Sequence, residues 1–256
     1  MSGWELLLVA VAGGGAGFIN TVVGTGTLIT FPTLLALGVP PVLANVSNSI
    51  GLAPGSLSGA LAGRQELAGQ RDRILKYGIA SLIGSIGGAL LLLQLPASAF
   101  RAIVPVLIGL GCILVVVGPV LQRRMAARRE RLGTTQATPD GPGWLWFVII
   151  FTGAYGGYFG AAQGVLVIAV MGVALAETLP RINALKNVLV MIANAVAGVV
   201  FVIISHVDWW IVGALASGSV LGAQLGARVG RRLPPTVYRV IILAVGIAAI
   251  ISLLRG

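Results

Sequence analysis

Apolar residues follow one another in eight long runs, separated by short polar or glycine-rich stretches. The runs cover about residues 4–37, 42–62, 74–94, 101–120, 144–175, 187–205, 209–229 and 237–254. A helix needs about 20 apolar residues to cross the hydrocarbon layer of a bilayer, and six of the runs have that length. The first and the fifth are too long for one span and too short for two full ones. Each of these two therefore predicts a broken helix.

Glycines interrupt both of the long runs. Gly24-Thr25-Gly26 lies in the first run, and Gly156-Gly157 and Gln163-Gly164 lie in the fifth. Glycine is costly in a helix interior, so a glycine cluster marks either a break or a close packing contact. We predict that each long run forms two shorter helices that fold back, or a re-entrant hairpin.

The composition is that of a membrane protein. Of the 256 residues, 57% are apolar and only 9% are charged, and the mean hydropathy is +1.00. These values exclude an ordinary soluble domain, a disordered chain and a disulfide scaffold. The one cysteine, Cys112, excludes an intrachain disulfide. We predict an all-α polytopic membrane protein that is surrounded by the lipid bilayer and has no soluble catalytic domain.

Basic residues predict the orientation of the chain. The net charge is +10, and the positive-inside rule explains this charge better than nucleic acid binding does. The stretches that hold most of the lysine and arginine are 63–73, 121–143, 176–186 and 228–236. Loops 38–41 and 205–208 contain neither residue. We expect the basic stretches in the cytoplasm, the N-terminus outside, and the chain in the cytoplasmic membrane of a bacterium. No nucleic acid partner is expected, and the sequence leaves homo-oligomer formation open.

The two halves of the chain correspond when one is shifted along the other. One constant offset, which we call the repeat shift, places Asn45 on Asn183, Asn48 on Lys186, Ser49 on Asn187, Ser56 on Asn194 and Gly26 on Gly164. The loop charges are opposite in the two copies, which is typical of inverted-topology repeats. The alternative is that polytopic helices in general look alike under a shift. We predict a first transmembrane repeat at 1–121, a basic cytoplasmic linker at 122–143 and a second repeat at 144–256. Each repeat would be a broken or re-entrant hairpin followed by three transmembrane helices.

Polar residues share one face of a helix in each repeat. These residues are Asn45, Asn48, Ser49 and Ser56 in the first repeat, and Asn183, Lys186, Asn187 and Asn194 in the second. Their spacings place each set on one helix face. Polar groups within the membrane are costly unless they are paired or face a cavity, so we expect a shared polar cavity. The alternative is that they only hydrogen-bond the helices to one another.

Lys186 is the most informative of these residues. It lies about two turns into its helix among apolar neighbours, and the nearest acidic residue in sequence is Glu177. Two interpretations are open: its side chain reaches the cytoplasmic surface, or its ammonium neutralises a bound anion. Backbone N–H groups at Thr25-Gly26 and Gln163-Gly164 would add donors for an anion.

The sequence offers little for catalysis. The acidic residues all lie in loops or at helix ends, so the buried carboxylate that a cation carrier usually needs is not visible. A single histidine, His206, cannot supply an HExxH zinc site. Leu57 occupies the nucleophile position of the one segment, residues 55–59, that approaches G-x-S-x-G. We expect no enzyme activity, no cofactor and no metal site.

These features together resemble one family. Its first-repeat pattern is similar to Gly17-Phe18-Ile19-Asn20-Thr21-Val22-Val23-Gly24-Thr25-Gly26, followed by Gly-Val-Pro-Pro at 38–41 and Ala-Asn-x-Ser-Asn at 44–48. The second repeat offers Arg181-Ile182-Asn183-Ala184-Leu185-Lys186-Asn187. The chain resembles the TauE/SafE sulfite exporter family, also called the toluene sulfonate uptake permease family, over nearly its whole length. It departs from the family where Thr25 and Thr27 interrupt a glycine run and where Ala161-Ala162-Gln163-Gly164 replaces expected glycines.

The resemblance implies a duplicated helical transporter of sulfur-containing anions, such as sulfite or organosulfonates, and of some other small organic anions. Family members differ in substrate and direction. We expect a secondary transporter, most simply an exporter, that works by alternating access at the interface between the repeats. The residues expected to bind the substrate are Asn20, Thr25, Gly26, Asn45, Asn48, Ser49, Gln163, Gly164, Lys186, Asn187 and Asn194. The alternatives are a transporter of another small organic anion or neutral solute, or a membrane scaffold that transports nothing.

Overall fold

The chain is a bundle of helices, described by a computed structural model. The described residues are 1–132, 140–175, 177–229, 240, 242–245, 247–248 and 250–251. The helices are α1 Gly3–Val22, α2 Thr27–Ala36, α3 Pro41–Ala62, α4 Arg71–Gln94, α5 Ala97–Leu132, α6 Gly143–Tyr158, α7 Gln163–Ala174, α8 Leu179–Ile204 and α9 Trp209–Val229. The part of the chain that the structure describes contains no strand. Five of these helices are long and apolar enough to cross a membrane. The prediction of an all-α polytopic membrane protein is confirmed.

Both long apolar runs are broken, as predicted. The first run is divided into α1 and α2, and the fifth is divided into α6 and α7. Each break contains left-handed backbone: Gly24 has φ 88° in the first, and Gly160 has φ 73° and Ala162 φ 60° in the second. The repeat shift places Gly24 on Ala162. Gly156 and Gly157 lie inside α6 and not at its break, because Gly157 packs against α4 and Gly156 makes room for the side chain of Gln163.

Glycines bring two pairs of helices into backbone contact. A Cβ atom on Gly222 of α9 would overlap the carbonyl oxygen of Gly14 in α1. A Cβ atom on Gly88 of α4 would overlap the carbonyl oxygen of Ala154 in α6. Without a hydrophobic drive between helices in lipid, small residues promote association by letting the backbones approach closely. The first helix of each half is therefore packed against the fourth helix of the other half.

The contacts also show the relative directions of the helices. Helices α1, α3 and α9 run the same way, because Gly13 and Gly51 meet Leu215 while Gly17 and Gly55 meet Ser219. Helices α4 and α6 likewise share one direction, since Ser81 meets Gly153 and Ser85 meets Gly157. Helix α8 runs the same way, because Gln70, just before α4, donates to the carbonyl oxygen of Arg181, and Ser81 donates to that of Leu189, further along both helices.

Helices α3 and α8 cross in opposite directions at the centre of the bundle. Gly63 lies near Ala184 at one end, and Ile50 lies near Gly198 towards the other. Counterpart helices in the two halves are therefore antiparallel: α1 with α6, α3 with α8, and α4 with α9. This arrangement supports inverted repeats.

Segments that were predicted to be cytoplasmic meet at one end of the bundle. Arg73 forms a 2.6 Å ion pair with Glu177, and Gln70 donates to the carbonyl oxygen of Arg181 at 3.3 Å. Lys76 donates to the carbonyl oxygen of Asp140 at 3.2 Å. These bonds bring stretch 63–73, the start of α4 and parts of stretches 121–143 and 176–186 together at a common end.

The predicted linker at 122–143 begins inside a helix. Helix α5 continues to Leu132, so the boundary at residue 121 is not marked by a change of backbone structure. Residues 133–139 lie outside the described residues, as do Arg231 and Arg232 of the fourth basic stretch and much of the last apolar run. The division into two repeats and a linker stays a prediction.

Candidate functional site

The two helix breaks lie against each other. The backbone N–H of Gly164 donates to the carbonyl oxygen of Gly24 at 3.1 Å. A Cβ atom on either glycine would overlap or crowd the other glycine's backbone. The predicted site residues Thr25, Gly26, Gln163 and Gly164 are thus brought to one place, although their two segments are far apart in sequence.

Lys186 binds the C-terminal end of α1. Its Nζ donates to the carbonyl oxygens of Asn20 at 2.8 Å and Thr21 at 3.4 Å. The last carbonyls of a helix have no partner within the helix and carry its partial negative charge, so an ammonium group stabilises them. The residue is fully buried. The lysine therefore does not reach the cytoplasmic surface, which was one of the two interpretations of the sequence.

Two asparagines bind helix ends in the same way in the two halves. Asn183 of α8 donates from Nδ2 to the carbonyl oxygen of Thr21 at 3.3 Å, at the end of α1. Asn45 of α3 donates to the carbonyl oxygen of Tyr158 at 2.9 Å, at the end of α6. The third helix of each half thus caps the first helix of the other half. Asn183 was not among the predicted substrate-binding residues, although its place on the polar face of α8 was visible in the sequence.

The charge of Lys186 has no equivalent in the first half. Its counterpart, Asn48, is bound within its own half by two threonines of α2. Asn48 donates from Nδ2 to Thr27 at 3.2 Å and accepts from the hydroxyl of Thr30. The two halves therefore share a pattern of polar positions, but where the second half places a cation beside a helix break, the first half has an amide.

Ser56 joins the polar residues of three helices. Its hydroxyl oxygen accepts hydrogen bonds from Asn20 of α1 at 3.1 Å and from Asn194 of α8 at 3.3 Å. Ser49 donates within its own helix, to the carbonyl oxygen of Asn45 at 3.0 Å. The polar faces of α3 and α8 do meet, and part of their polarity connects the helices, as the alternative interpretation of the sequence expected.

Several buried polar atoms near the breaks are left without a partner. Within the described residues, the Thr25 hydroxyl, the Gln163 Nε2 and the Oδ1 atoms of Asn45 and Asn183 have no hydrogen bond. Thr25 and Gln163 occupy equivalent positions in the two halves. A buried polar group without a partner costs free energy, so these atoms are available to a bound solute or to water.

A cavity of about 250 Å³ lies beside the capped end of α1. Its polar lining includes Thr21, Asn183 and Asn187, and it extends to Glu66 and Leu179 at the end of the bundle that bears the predicted cytoplasmic segments. Small residues of α3 also line it. Asn187, a predicted site residue, thus faces the cavity. All of the predicted site residues are buried.

An ion-pair network lies at the same end as this cavity. Glu177 pairs with Arg73 at 2.6 Å and with Arg181 at 2.7 Å, and Arg181 also donates to the carbonyl oxygen of Ala68 at 3.0 Å. Burial by itself would raise the pKa of Glu177, but the hydrogen bonds and charges of the two arginines hold this pKa below its usual value. The network ties the first half of the chain to the second.

Comparisons with known proteins agree with the membrane architecture. Residues 9–253 match the family described as sulfite exporter TauE/SafE. A protein of Haemophilus influenzae named "Probable membrane transporter protein" is 29% identical over 83% of this chain and 80% of its own length. The "Probable membrane transporter protein YfcA" of Escherichia coli K12 is 28% identical over 83% of this chain and 76% of its own.

A third relative covers more of the chain. The "Probable membrane transporter protein ORF9" of a Sinorhizobium species is 28% identical over 93% of this chain and 88% of its own. No solved structure matches the chain significantly. Because the family match spans nearly all of the sequence, this polytopic membrane protein belongs to the TauE/SafE sulfite exporter family of membrane transporters.

Proposed function

We propose that the chain is a secondary transporter that moves a small anion across the cytoplasmic membrane of a bacterium. A sulfur-containing anion, such as sulfite or an organosulfonate, is the favoured substrate, and export is the favoured direction. The two halves act as inverted repeats and give alternating access to a site at their interface. The family match supports a transporter, and the antiparallel counterpart helices support the inverted relation.

The observation that carries the anion proposal is the buried ammonium group of Lys186. Both acceptors that the structure gives it are backbone carbonyl oxygens, which carry no formal charge. A buried charge is costly unless it is paired, so an anion nearby would offset much of that cost. The Thr21 carbonyl accepts from Lys186 and also from Asn183, which lines the cavity. The cation therefore lies close to the cavity wall.

The cavity suits a small substrate. Its volume of about 250 Å³ is below the range of roughly 300–1,000 Å³ that is typical of pockets for drug-sized ligands. Amide groups of Asn183 and Asn187 line it beside small residues of α3. The substrate's oxygens would accept from the ammonium and amide groups, and Lys186 would exchange part of its bonding to the end of α1 for the anion.

Thermal unfolding of the purified protein with candidate anions tests the proposal. The solutes are sulfite, thiosulfate, sulfate, sulfoacetate, taurine and lactate, applied to wild type, Lys186→Met and Lys76→Met. Lys76 is the matched control, because it is a lysine that also donates to a backbone carbonyl but lies at the bundle end. A ligand at 100 times its dissociation constant stabilises by about 2.7 kcal/mol.

We expect a sulfur oxyanion to stabilise wild type and Lys76→Met, but not Lys186→Met. Flux of the same anion in proteoliposomes should then depend on Lys186. An equal response of Lys186→Met would mean that the lysine serves only to cap α1. Stabilisation by lactate alone would indicate that the substrate is a carboxylate and not a sulfur-containing anion. Stabilisation by none of the anions would contradict the anion proposal.

A further inference from the structure

The cavity beside α1 has a closed counterpart in the other half of the molecule. The repeat shift relates the cavity-lining Thr21 and Gly63 to Phe159 and Phe201. Both phenylalanines are buried, at 1% and 0% exposure. Large rings in the second half thus occupy positions whose counterparts in the first half are small residues that line the cavity. The two ends of the molecule differ because their sequences differ at these positions.

Two rings pack against Phe159, and a third packs against one of these two. The ring centroid of Phe159 lies 5.0 Å from that of Phe31 and 6.1 Å from that of Phe100, and Phe100 lies 5.7 Å from Tyr158. We call Phe31, Phe100, Tyr158 and Phe159 the outer aromatic cluster. Phe100 lies near the start of α5, and α4 runs to that point from the end that bears the cytoplasmic segments. The cluster therefore lies towards the outside in the predicted orientation.

Two buried polar groups, one in the cluster and one near it, remain unpaired. Asn45, the counterpart of Asn183, is fully buried, and its Oδ1 has no hydrogen-bond partner in the described part of the chain. The same holds for the hydroxyl of Tyr158. Ser49, the counterpart of the cavity-lining Asn187, is 2% exposed. Buried polar atoms without a partner need an explanation, and a solute or water that binds them in another conformation would supply one.

We propose that Asn45 and Ser49 belong to a second, outward-facing solute site that the outer aromatic cluster closes in this conformation. This inference rests on the proposed transport function. Opening the outer site requires Phe100 and Phe159 to move away from Asn45, while the cavity at Asn183 and Asn187 closes. The outer site lacks the equivalent of Lys186, because Asn48 stands there and binds Thr27 and Thr30. An anion is consequently held less tightly on the outer side.

Accessibility of single cysteines tests the inference. Replacing the one native cysteine, Cys112→Ala, gives a background for two reporters, Asn187→Cys in the open cavity and Ser49→Cys in the closed site. Membrane-impermeant thiol reagents are applied to intact cells and to inside-out vesicles. We expect modification of Asn187→Cys from the cytoplasmic side and protection of Ser49→Cys from outside. Rapid modification of Ser49→Cys from outside in this background would contradict the proposal that the outer site is closed.

The second step adds Phe100→Ala to each reporter. Outside modification of Ser49→Cys should rise by about tenfold or more, and cytoplasmic modification of Asn187→Cys should fall, because one equilibrium connects the two states. Leu145→Ala is the control: it shortens a fully buried side chain in the separate core around Tyr77 and should change neither rate. If Phe100→Ala does not give a folded protein by gel filtration, Phe100→Leu is used with the same readouts.

Two results would overturn the inference. One is an unchanged outside rate for Ser49→Cys after truncation of Phe100. The other is a raised outside rate without any fall at Asn187→Cys, which would indicate a packing void. The labelling needs no solute, so its failure would leave the anion test with Lys186→Met unaffected. Failure of the anion test would likewise leave the labelling result unaffected.

Discussion

At the scale of single residues, three polar side chains of this protein bind helix ends. Lys186 and Asn183 bind the carbonyls at the end of α1, and Asn45 binds the end of α6. A carbonyl without a partner costs several kcal/mol within a membrane, since no water is available to replace the lost bond. The broken helix of each half is therefore tolerated, because the other half of the chain supplies hydrogen-bond donors to its end.

Asn183→Ala tests this capping role. The substitution removes one donor from the Thr21 carbonyl, so we expect the protein to lose about 1–2 kcal/mol of stability. Thermal unfolding in detergent measures the loss. Asn187→Ala is the matched control, because Asn187 lies one turn further along α8 and lines the same cavity. Equal losses in the two variants would contradict a specific role of Asn183 at the helix end.

At the scale of helices, close backbone contact holds each half against the other. The α1–α9 and α4–α6 pairs meet through glycines whose Cβ atoms would overlap carbonyl oxygens of the partner helix. Some other glycines of the same helices, such as Gly87 and Gly213, face open space and contribute nothing to this packing. The glycines thus divide into those that the packing requires and those that it tolerates.

Adjacent glycines of α4 allow a direct comparison. A Cβ atom on Gly88 would overlap Ala154 of α6, whereas a Cβ atom on Gly87 would meet nothing within 4 Å. Gly88→Ala should therefore destabilise the protein by about 1–3 kcal/mol or prevent folding. Gly87→Ala should be neutral or stabilising by up to about 1 kcal/mol, through helix propensity. Thermal unfolding curves of both variants measure the difference in stability. A Gly88→Ala protein as stable as Gly87→Ala would contradict the close approach of α4 and α6.

At the scale of the whole molecule, the two halves share the positions of their polar and glycine residues, but several of these positions hold different residues. Equivalent asparagines cap equivalent helix ends, whereas Lys186 and Phe159 each have a counterpart of different chemistry, Asn48 and Thr21. A cavity therefore lies beside Thr21, whereas the buried ring of Phe159 fills the equivalent position in the other half. At the end with the cavity, Glu177 and its two arginines hold the halves together.

The pH dependence of stability tests this connection. Because the folded state lowers the pKa of Glu177, its ion pairs stabilise the protein above the carboxyl's unfolded pKa. That stability is lost as the pH falls through the lowered, folded pKa. We expect Glu177→Gln to unfold at a lower temperature than wild type at neutral pH, and this difference should shrink on acidification.

Asp72→Asn is the control for this series, since Asp72 is an exposed carboxylate in the first turn of α4. Its unfolding temperature should follow wild type throughout the pH range. A difference between Glu177→Gln and wild type that stays constant down to the most acidic pH would contradict the assignment to ionised Glu177.

The sequence by itself determined the class of the protein and much of its plan. Runs of apolar residues and the positions of glycines are local signals, so they predicted membrane helices and the breaks after α1 and α6. The periodicity of the α-helix placed Asn45, Asn48 and Ser49 on one face. The repeat shift relates the two halves through the sequence alone.

Only the tertiary structure decided what these residues touch. Lys186 meets Asn20, which is 166 residues away, and no local pattern encodes a partner so distant. The same reason explains why Gly157 could be assigned to a break, although it packs against α4, and why Asn183 was left out of the predicted site. Helix periodicity gives the face of a residue, but the packing of other helices decides whether that face borders a cavity, a helix end or aromatic rings.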